Sequence, residues 1–322
     1  MKPNGSDESH HFVKNECKVK KMSPRYVLLF GMIVFSNVTG ATECRGVGDC
    51  FHNGNCSDGI CSCDAAWKGK QCDVLNFDVS STPLNAGYHN ASEASWGGNA
   101  IFDTNTGMYH LFVAQMANGC GLGDWGTNSM IVRGVSRNAT GPFVYQEIVL
   151  PPFAHNPTAR ALPNNEGVVI YFIGTGNAPS KSVKNCSKTK ISEDAPGNVT
   201  TGSIHAIHAP SVVGPWSDPV AITFSDDPMW GASVTNPSPH IDSDGTVTMA
   251  LQRGFNANPG KELIGVARAK TWRGPFTMIT SSPVEPQHFY CIAGTGEDPF
   301  LWKTDRGWHM IYHGPYAFVP FF

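Results

Sequence analysis

The 322-residue sequence is short of charge: Asp, Glu, Lys and Arg together make up 15% of it, and the net charge is −3. No basic run is long enough to follow a phosphate backbone and no nucleic-acid-binding signature is present, which excludes nucleic acid as a partner. No stretch reaches the roughly 20 apolar residues that a comfortable membrane span needs. The nearest is RYVLLFGMIVFSNVTGA, a shorter apolar block behind Lys18, Lys20, Lys21 and Arg25. It has the proportions of a signal peptide, with small residues at Thr39 and Ala41 marking a cleavage site. Translation from Met22 yields the signal peptide alone; from Met1 the block can instead stay as an uncleaved signal anchor. Either way Cys44 onward is delivered outside, so the protein is expected to be secreted or to sit on the extracellular face of a membrane. No spacing of ligand residues points to a metal, and no cofactor is expected.

Glycine (34) and proline (23) are abundant, and β-branched and aromatic residues come in short bursts. That composition predicts an all-β chain with many turns. The length allows one large domain and one small one. The expected division is an N-terminal extension over 1–41, a small module over 42–76 and a large β domain over 77–322. Sequons at Asn55, Asn90, Asn138, Asn185 and Asn198 fit glycosylation in the secretory path.

Six of the ten cysteines crowd into CRGVGDCFHNGNCSDGICSCDAAWKGKQC. The segment is too short to bury a core, so cross-links must hold it. Its spacing, with Cys61, Cys63, Gly69 and Cys72 in the tail, resembles an epidermal-growth-factor-like (EGF-like) module. The resemblance implies the pairs Cys44–Cys56, Cys50–Cys61 and Cys63–Cys72; spacing alone leaves fifteen connectivities open. It also implies no calcium, since GATEC lacks the acidic or amide cluster of the calcium-binding subclass. Of Cys120, Cys186 and Cys291, two are expected to pair.

From about Phe77 the chain repeats four kinds of strand in fixed order. GGNAIFD, MYHLFVAQ, SMIVRGVS and GPFVYQEIV are followed by HNPTARALP, GVVIYFIG, SIHAIHA and GPWSDPVAI. TNPSPHID, TVTMALQ, LIGVARA and GPFTMIT make a third set, and EDPFLWKT with WHMIYHG begins a fourth. Repeated four-stranded units are the mark of a β-propeller. The Asn-Pro and Asp-Pro pairs read as strand starts, because proline lacks the ladder donor. HLFVAQ and VVIYFI are apolar on both faces, as blade strands between neighbours must be.

Asp-Pro or Asn-Pro on the inner strand and Gly-Pro-aromatic before the outer strand resemble the five-bladed propeller of glycoside hydrolase family 43, the arabinanases and β-xylosidases, with their levansucrase and invertase relatives. The fold class is therefore all-β: an EGF-like module plus a five-bladed propeller, of which about three and a half blades are present. A truncated chain is the corresponding expectation, with an open edge where the ring does not close. The resemblance implies an acidic base on the first blade, an Asp on the third that tunes the acid, and a Glu acid on a later one. Carried over, Glu297 stands at the acid's place with Asp298 beside it. Asn236 stands where the tuning Asp would be, and Gly98 or Asn99 where the base would be. An amide cannot act as a general base; Asp103 and Asp124 are the reserve carboxylates.

His155, Asn156 and Arg160 are candidates for bonding sugar hydroxyls, along with Asn99 and Asn236. Trp96 and Trp125 are candidate sugar platforms, with Trp230 also near the motifs. His110, His309 and His313 read as structural. Three functions follow: a glycan-recognising propeller with impaired hydrolysis, an active glycosidase using Glu297, or a structural adhesion protein. A cell-surface glycan and a protein bound through the EGF-like module are the expected partners.

Overall fold

The computed structural model describes residues 43–76, 85–177, 183–186, 202–257, 262–281, 283–284, 296–313 and, for the backbone alone, 318–321. The extension over 1–41, Cys291 and Asn198 lie outside the described residues. Among the described residues no helix is long and apolar enough to cross a membrane.

The small module contains a 3₁₀ turn, Val47–Cys50, and two hairpins. Strand β1 (Gly54–Ser57) pairs with β2 (Ile60–Cys63), and β3 (Trp67–Lys68) with β4 (Val74–Leu75). Disulfides join Cys44 to Cys56, Cys50 to Cys61 and Cys63 to Cys72. Cys44, Cys50, Cys72 and Trp67 form its buried centre. A fourth bond, Cys120–Cys186, lies in the large domain. Four disulfides suit an oxidising compartment.

Three four-stranded antiparallel sheets follow in chain order. The first holds β5 (Ser95–Asp103), β6 (Met108–Met116), β7 (Ser129–Ser136) and β8 (Val144–Leu150). The second holds β9 (His155–Ala161), β10 (Val168–Ile173), β11 (Ile204–Ala209) and β12 (Val220–Ala221). The third holds β13 (Trp230–Ile241), β14 (Val247–Phe255), β15 (Glu262–Ala269) and β16 (Thr277–Met278). A three-stranded sheet of β17 (Glu297–Thr304), β18 (Gly307–His313) and β19 (Phe318–Phe321) comes last. The one short α-helix among the described residues is α1 (Trp125–Asn128).

Blades stack through apolar side chains from both faces of their strands. All six residues of β10 are buried. Val168, Ile170 and Phe172 meet Phe112 and Ile131 of the first blade. Val169 and Tyr171 turn the other way, onto Met249, Leu251 and Phe276 of the third. Leu301, Met310 and Tyr312 continue the stack onto Ala250 and Ile264. Near the axis, hydrogen bonds join one blade to the next. The Asn99 amide donates to the Ala159 carbonyl at 3.0 Å and accepts its N–H at 2.8 Å. Thr158 donates to the Pro237 carbonyl, and the Leu301 N–H donates to Ser238. The small module rests on the fourth sheet. Trp67 lies 5.3 Å from the His309 ring, which stacks on Trp302, and Arg306 grips the Asp64 carboxylate at 2.9 and 3.2 Å.

Every inner strand carries the same bulge. Two residues oppose one: Gly97–Gly98, Asn156–Pro157, Asn236–Pro237 and Asp298–Pro299 face single residues across the ladder. The first of each pair is left-handed, with φ of 62° at Gly97, 48° at Asn156, 49° at Asn236 and 51° at Asp298. This corrects the strand-start reading of the x-Pro pairs, most plainly on β13, where Asn236 lies well inside the strand. Proline suits a bulge for the same reason it suits a start: the position needs no donor. Left-handed backbone costs other L-residues roughly 1–2 kcal/mol, which narrows the choice to Gly, Asn or Asp.

Candidate functional site

The shared bulge gives each inner strand two informative positions. On three of the blades the left-handed residue, Asn156, Asn236 or Asp298, sends its side chain to a common centre, and on the first it is Gly97. The residue just before it stands on the rim: Trp96, His155, Thr235 and Glu297 on the four blades. All four rim residues line one cavity of about 280 Å³, together with Leu122, Trp125, Ile173, Asn236, Gln252, Glu262 and Asp298. Register therefore sets Trp96 opposite the acid's place on the first blade and Gly97 opposite the amides, rather than Gly98 or Asn99.

At the axis the side chains form one hydrogen-bonded chain. Asn156 Nδ2 donates to Asp298 Oδ1 at 2.7 Å and to Asn236 Oδ1 at 3.2 Å. Asn236 Nδ2 donates to Gln252 Oε1 at 2.6 Å, and Gln252 Nε2 to the Gly296 carbonyl at 2.6 Å. Gly97 leaves room for this: a Cβ there would lie 2.3 Å from Asn156 Oδ1. Burial first, and then the adjacent Glu297 charge, raise the Asp298 pKa above the usual carboxylate value; the Asn156 and Trp96 hydrogen bonds and the His313 charge oppose that rise. Glu297 itself is exposed and lies 3.4 Å from His313 Nδ1. Glu297, Asp298 and His313 bring ligand atoms within 4.8 Å of one another, a set of donors that could take a cation. His313 thus belongs to the site and not only to the blade.

The rim aromatics are held from outside the inner strands. Trp125 opens α1, 4.9 Å from the His155 ring. The loop carrying it is tied down by the Cys120–Cys186 bond and by Lys184, whose Nζ lies 2.6 Å from Asp124 Oδ1. Asp124 is thereby an ion-pair partner, not a lining residue. His155 Nδ1 bonds Ser129 Oγ at 2.8 Å, and burial lowers its pKa from 6.5 to about 4. The unfolded chain takes up that proton near pH 6.5 and the folded chain only near pH 4, so stability falls as pH drops through this window. His110, His205, His240 and His309 are lowered by burial too. Thermal melts across the window should show a falling midpoint, with His155 alone contributing up to about 3 kcal/mol. The variant His155→Gln should flatten the fall; an unchanged slope would refute the assignment.

Other sequence candidates sit elsewhere. Arg160 points its guanidinium at backbone: Nε donates to the Pro239 carbonyl at 2.7 Å and Nη1 to Ala159 at 2.9 Å, with Phe300 beneath at 5.6 Å. It is not among the residues lining the cavity. Asn99 is the inter-blade clip already described. Asp103 caps the turn after β5, accepting from Asn105 N at 3.1 Å and Thr106 Oγ1 at 2.7 Å. Trp230 is buried, its indole donating to the Thr280 carbonyl. His110 and His309 are buried within their strands. Glu262 and Gln252 escaped the sequence reading because they lie on the third and second strands of a blade, respectively, where no motif marks them. The sequon residues Asn55, Asn90, Asn138 and Asn185 are all exposed.

Residues 47–75 match the family described as Teneurin-like EGF domain. Among curated proteins none matches the chain. Among solved structures, a family 117 glycoside hydrolase of the marine bacterium Zobellia galactanivorans superposes with a TM-score of 0.50 at 13% identity, covering 75% of this chain and 67% of that one. An endo-1,4-β-xylanase of Bacteroides thetaiotaomicron gives 0.44 at 13% identity, with 70% and 67% covered. A thermostable family-43 glycoside hydrolase gives 0.45 at 18%, with 68% and 65% covered. The chain thus spans about two thirds of the length of these structures. In fold, the chain is a β-propeller similar to that of the family 117 glycoside hydrolase, with an EGF-like module before it.

Proposed function

We propose that the cavity recognises a carbohydrate, and that the protein is an extracellular, glycosylated, glycan-recognising propeller with impaired hydrolytic chemistry. The observation that carries this is the convergence of two indoles, Trp96 and Trp125, with the polar groups of His155, Thr235, Asn236 and Glu297 on one cavity. Indole faces offer apolar area to the C–H faces of a sugar ring, while amides and carboxylates meet its hydroxyls. The impairment follows from the bulge positions, where Gly97, Asn156 and Asn236 leave Asp298 as the one acid. In this reading the sheets belong to a five-bladed ring, and the EGF-like module carries a protein partner.

The test is a glycan array followed by calorimetry on the best ligand. Trp96→Ala should weaken binding about 30-fold, the effect of losing an anchor worth about 2 kcal/mol. No binding across the array would favour a purely structural adhesion protein. One observation favours the second reading, an active glycosidase with Glu297 as acid: a further carboxylate, Glu262, lines the same cavity.

A further inference from the structure

Strand alternation gives the third blade two faces, each on its own cavity. Val234 and Thr235 of β13 pair with Arg253 and Gln252 of β14, and successive residues point to opposite sides of a sheet. Thr235 and Gln252 line the axial cavity, whereas Val234 and Arg253 line a second one of about 620 Å³, walled also by Ile222, Phe224 and Trp230. Its size falls within the range of small-molecule pockets. Arg253 is 5% exposed. Its Nε donates to the Gly231 carbonyl at 2.6 Å, and its guanidinium carbon lies 5.3 Å from the centre of the Phe224 ring. Nη1 is buried and meets no acceptor among the described residues. Burial lowers the Arg253 pKa, and the charges of Asp227 and Asp226 oppose that fall. Both carboxylates line the same cavity. Asp227 Oδ1 accepts the Met229 N–H at 2.9 Å, and Asp226 is exposed.

We propose that this second cavity is a binding site for an aromatic α-amino acid. A buried guanidinium nitrogen without a partner carries the cost of its lost hydration. A carboxylate gives it an acceptor of opposite charge, the stronger class of hydrogen bond. Among the described residues the cavity holds two acids and one cation, so a simple carboxylate is repelled by Asp226 and Asp227 while it is drawn to Arg253. An ammonium group on the same ligand answers the acids, and an α-amino acid carries both charges on one carbon. Its aromatic ring takes the apolar side, against Phe224, Trp230 and Ile222. The site lies on the opposite face of β13 and β14 from the axial cavity and does not rest on the carbohydrate reading.

Three probes share one ring and differ in charge: L-phenylalanine, 3-phenylpropionate, which lacks the ammonium, and phenethylamine, which lacks the carboxylate. Binding of each to the full chain is measured by calorimetry. L-Phenylalanine should bind at least about tenfold more tightly than either single-charge probe, the weight of one charged hydrogen bond. Arg253→Met keeps an apolar stem and removes the guanidinium; it should weaken L-phenylalanine by at least about tenfold and should not weaken phenethylamine. Asp226→Asn, at an exposed position, keeps the test independent of any folding defect at Arg253. It should weaken L-phenylalanine and strengthen 3-phenylpropionate, since one repelling charge is gone. No binding of L-phenylalanine overturns the proposal, as does equal binding of the three probes, which would mean a merely apolar pocket. Binding of 3-phenylpropionate as tight as that of L-phenylalanine, or L-phenylalanine affinity unmoved in both variants, also overturns it.

Discussion

The double variant Cys120→Ser/Cys186→Ser should lose about 4 kcal/mol of stability, because the bond spans 66 residues and a loop of that length loses much chain entropy when closed. The effect should extend beyond stability. Asn118 and Asn128 each donate a side-chain hydrogen bond to the Lys184 carbonyl at 2.9 Å, and Lys184 in turn pairs with Asp124 at 2.6 Å. These groups hold residues 183–186 against the loop that leads into Trp125. With the disulfide gone, these bonds and the backbone N–H bonds from Cys186 to the Asn118 carbonyl and from Lys184 to Asn128 Oδ1 are left to keep that loop in place. Oligosaccharide affinity should therefore fall along with the urea midpoint. A loss of unfolding free energy below about 1 kcal/mol would mean that the hydrogen bonds suffice without the cross-link.

The other large effect is expected at the junction of the first two blades. Phe112 is fully buried, packs edge-on against Trp216 at 5.6 Å, and belongs to the cluster joining β6 and β7 to β10. Its backbone is closely approached as well: a Cβ on Gly98 would lie 2.1 Å from the Phe112 carbonyl oxygen, so only glycine fits there. Phe112→Ala should cost about 3–5 kcal/mol, read from urea denaturation. Phe102, on the same sheet but 49% exposed, supplies the control. Phe102→Ala should stay within about 0.5 kcal/mol of the parent. Equal losses at the two positions would show that the blades are not joined through this cluster.

Much of the fold was legible in the chain. The alternation of turn residues with short apolar runs predicted the blade strands in order up to β18, because a strand sandwiched between sheets must be apolar on both faces and the chain must reverse after it, while β19 (Phe318–Phe321) was missed. Three Gly-Pro pairs mark the outer strands in the sequence, at Gly141, Gly214 and Gly274, and each precedes a cis proline in the structure. The Asn-Pro and Asp-Pro pairs were visible too, but their meaning was not. Proline serves strand starts and bulges alike, and only the cross-strand register separates the two.

The candidate site divides in the same way. Glu297, Asp298, His155, Asn156, Asn236, Trp96 and Trp125 could be named from motifs beside the inner strands, and the structure brings all but Asn156 to the lining of one cavity, with Asn156 bonded to Asp298 at its floor. Arg160 and Asn99 came from the same motifs, yet both lie beyond the bulge on their strands and serve the contacts between blades. Glu262 and His313 lie 35 and 16 residues from Glu297 in the chain and carry no mark.

By itself, then, the sequence determined the repeating strand order, the all-β class and the cross-linked small module, since these depend on local periodicity, turn chemistry and cysteine content. Only the tertiary structure decided which side chains share the cavity. Rim residues on four inner strands, an indole on a disulfide-tied loop and a carboxylate on a third strand meet there because blades stack around an axis, and that proximity is set by inter-blade packing and register, which no local stretch of the chain encodes.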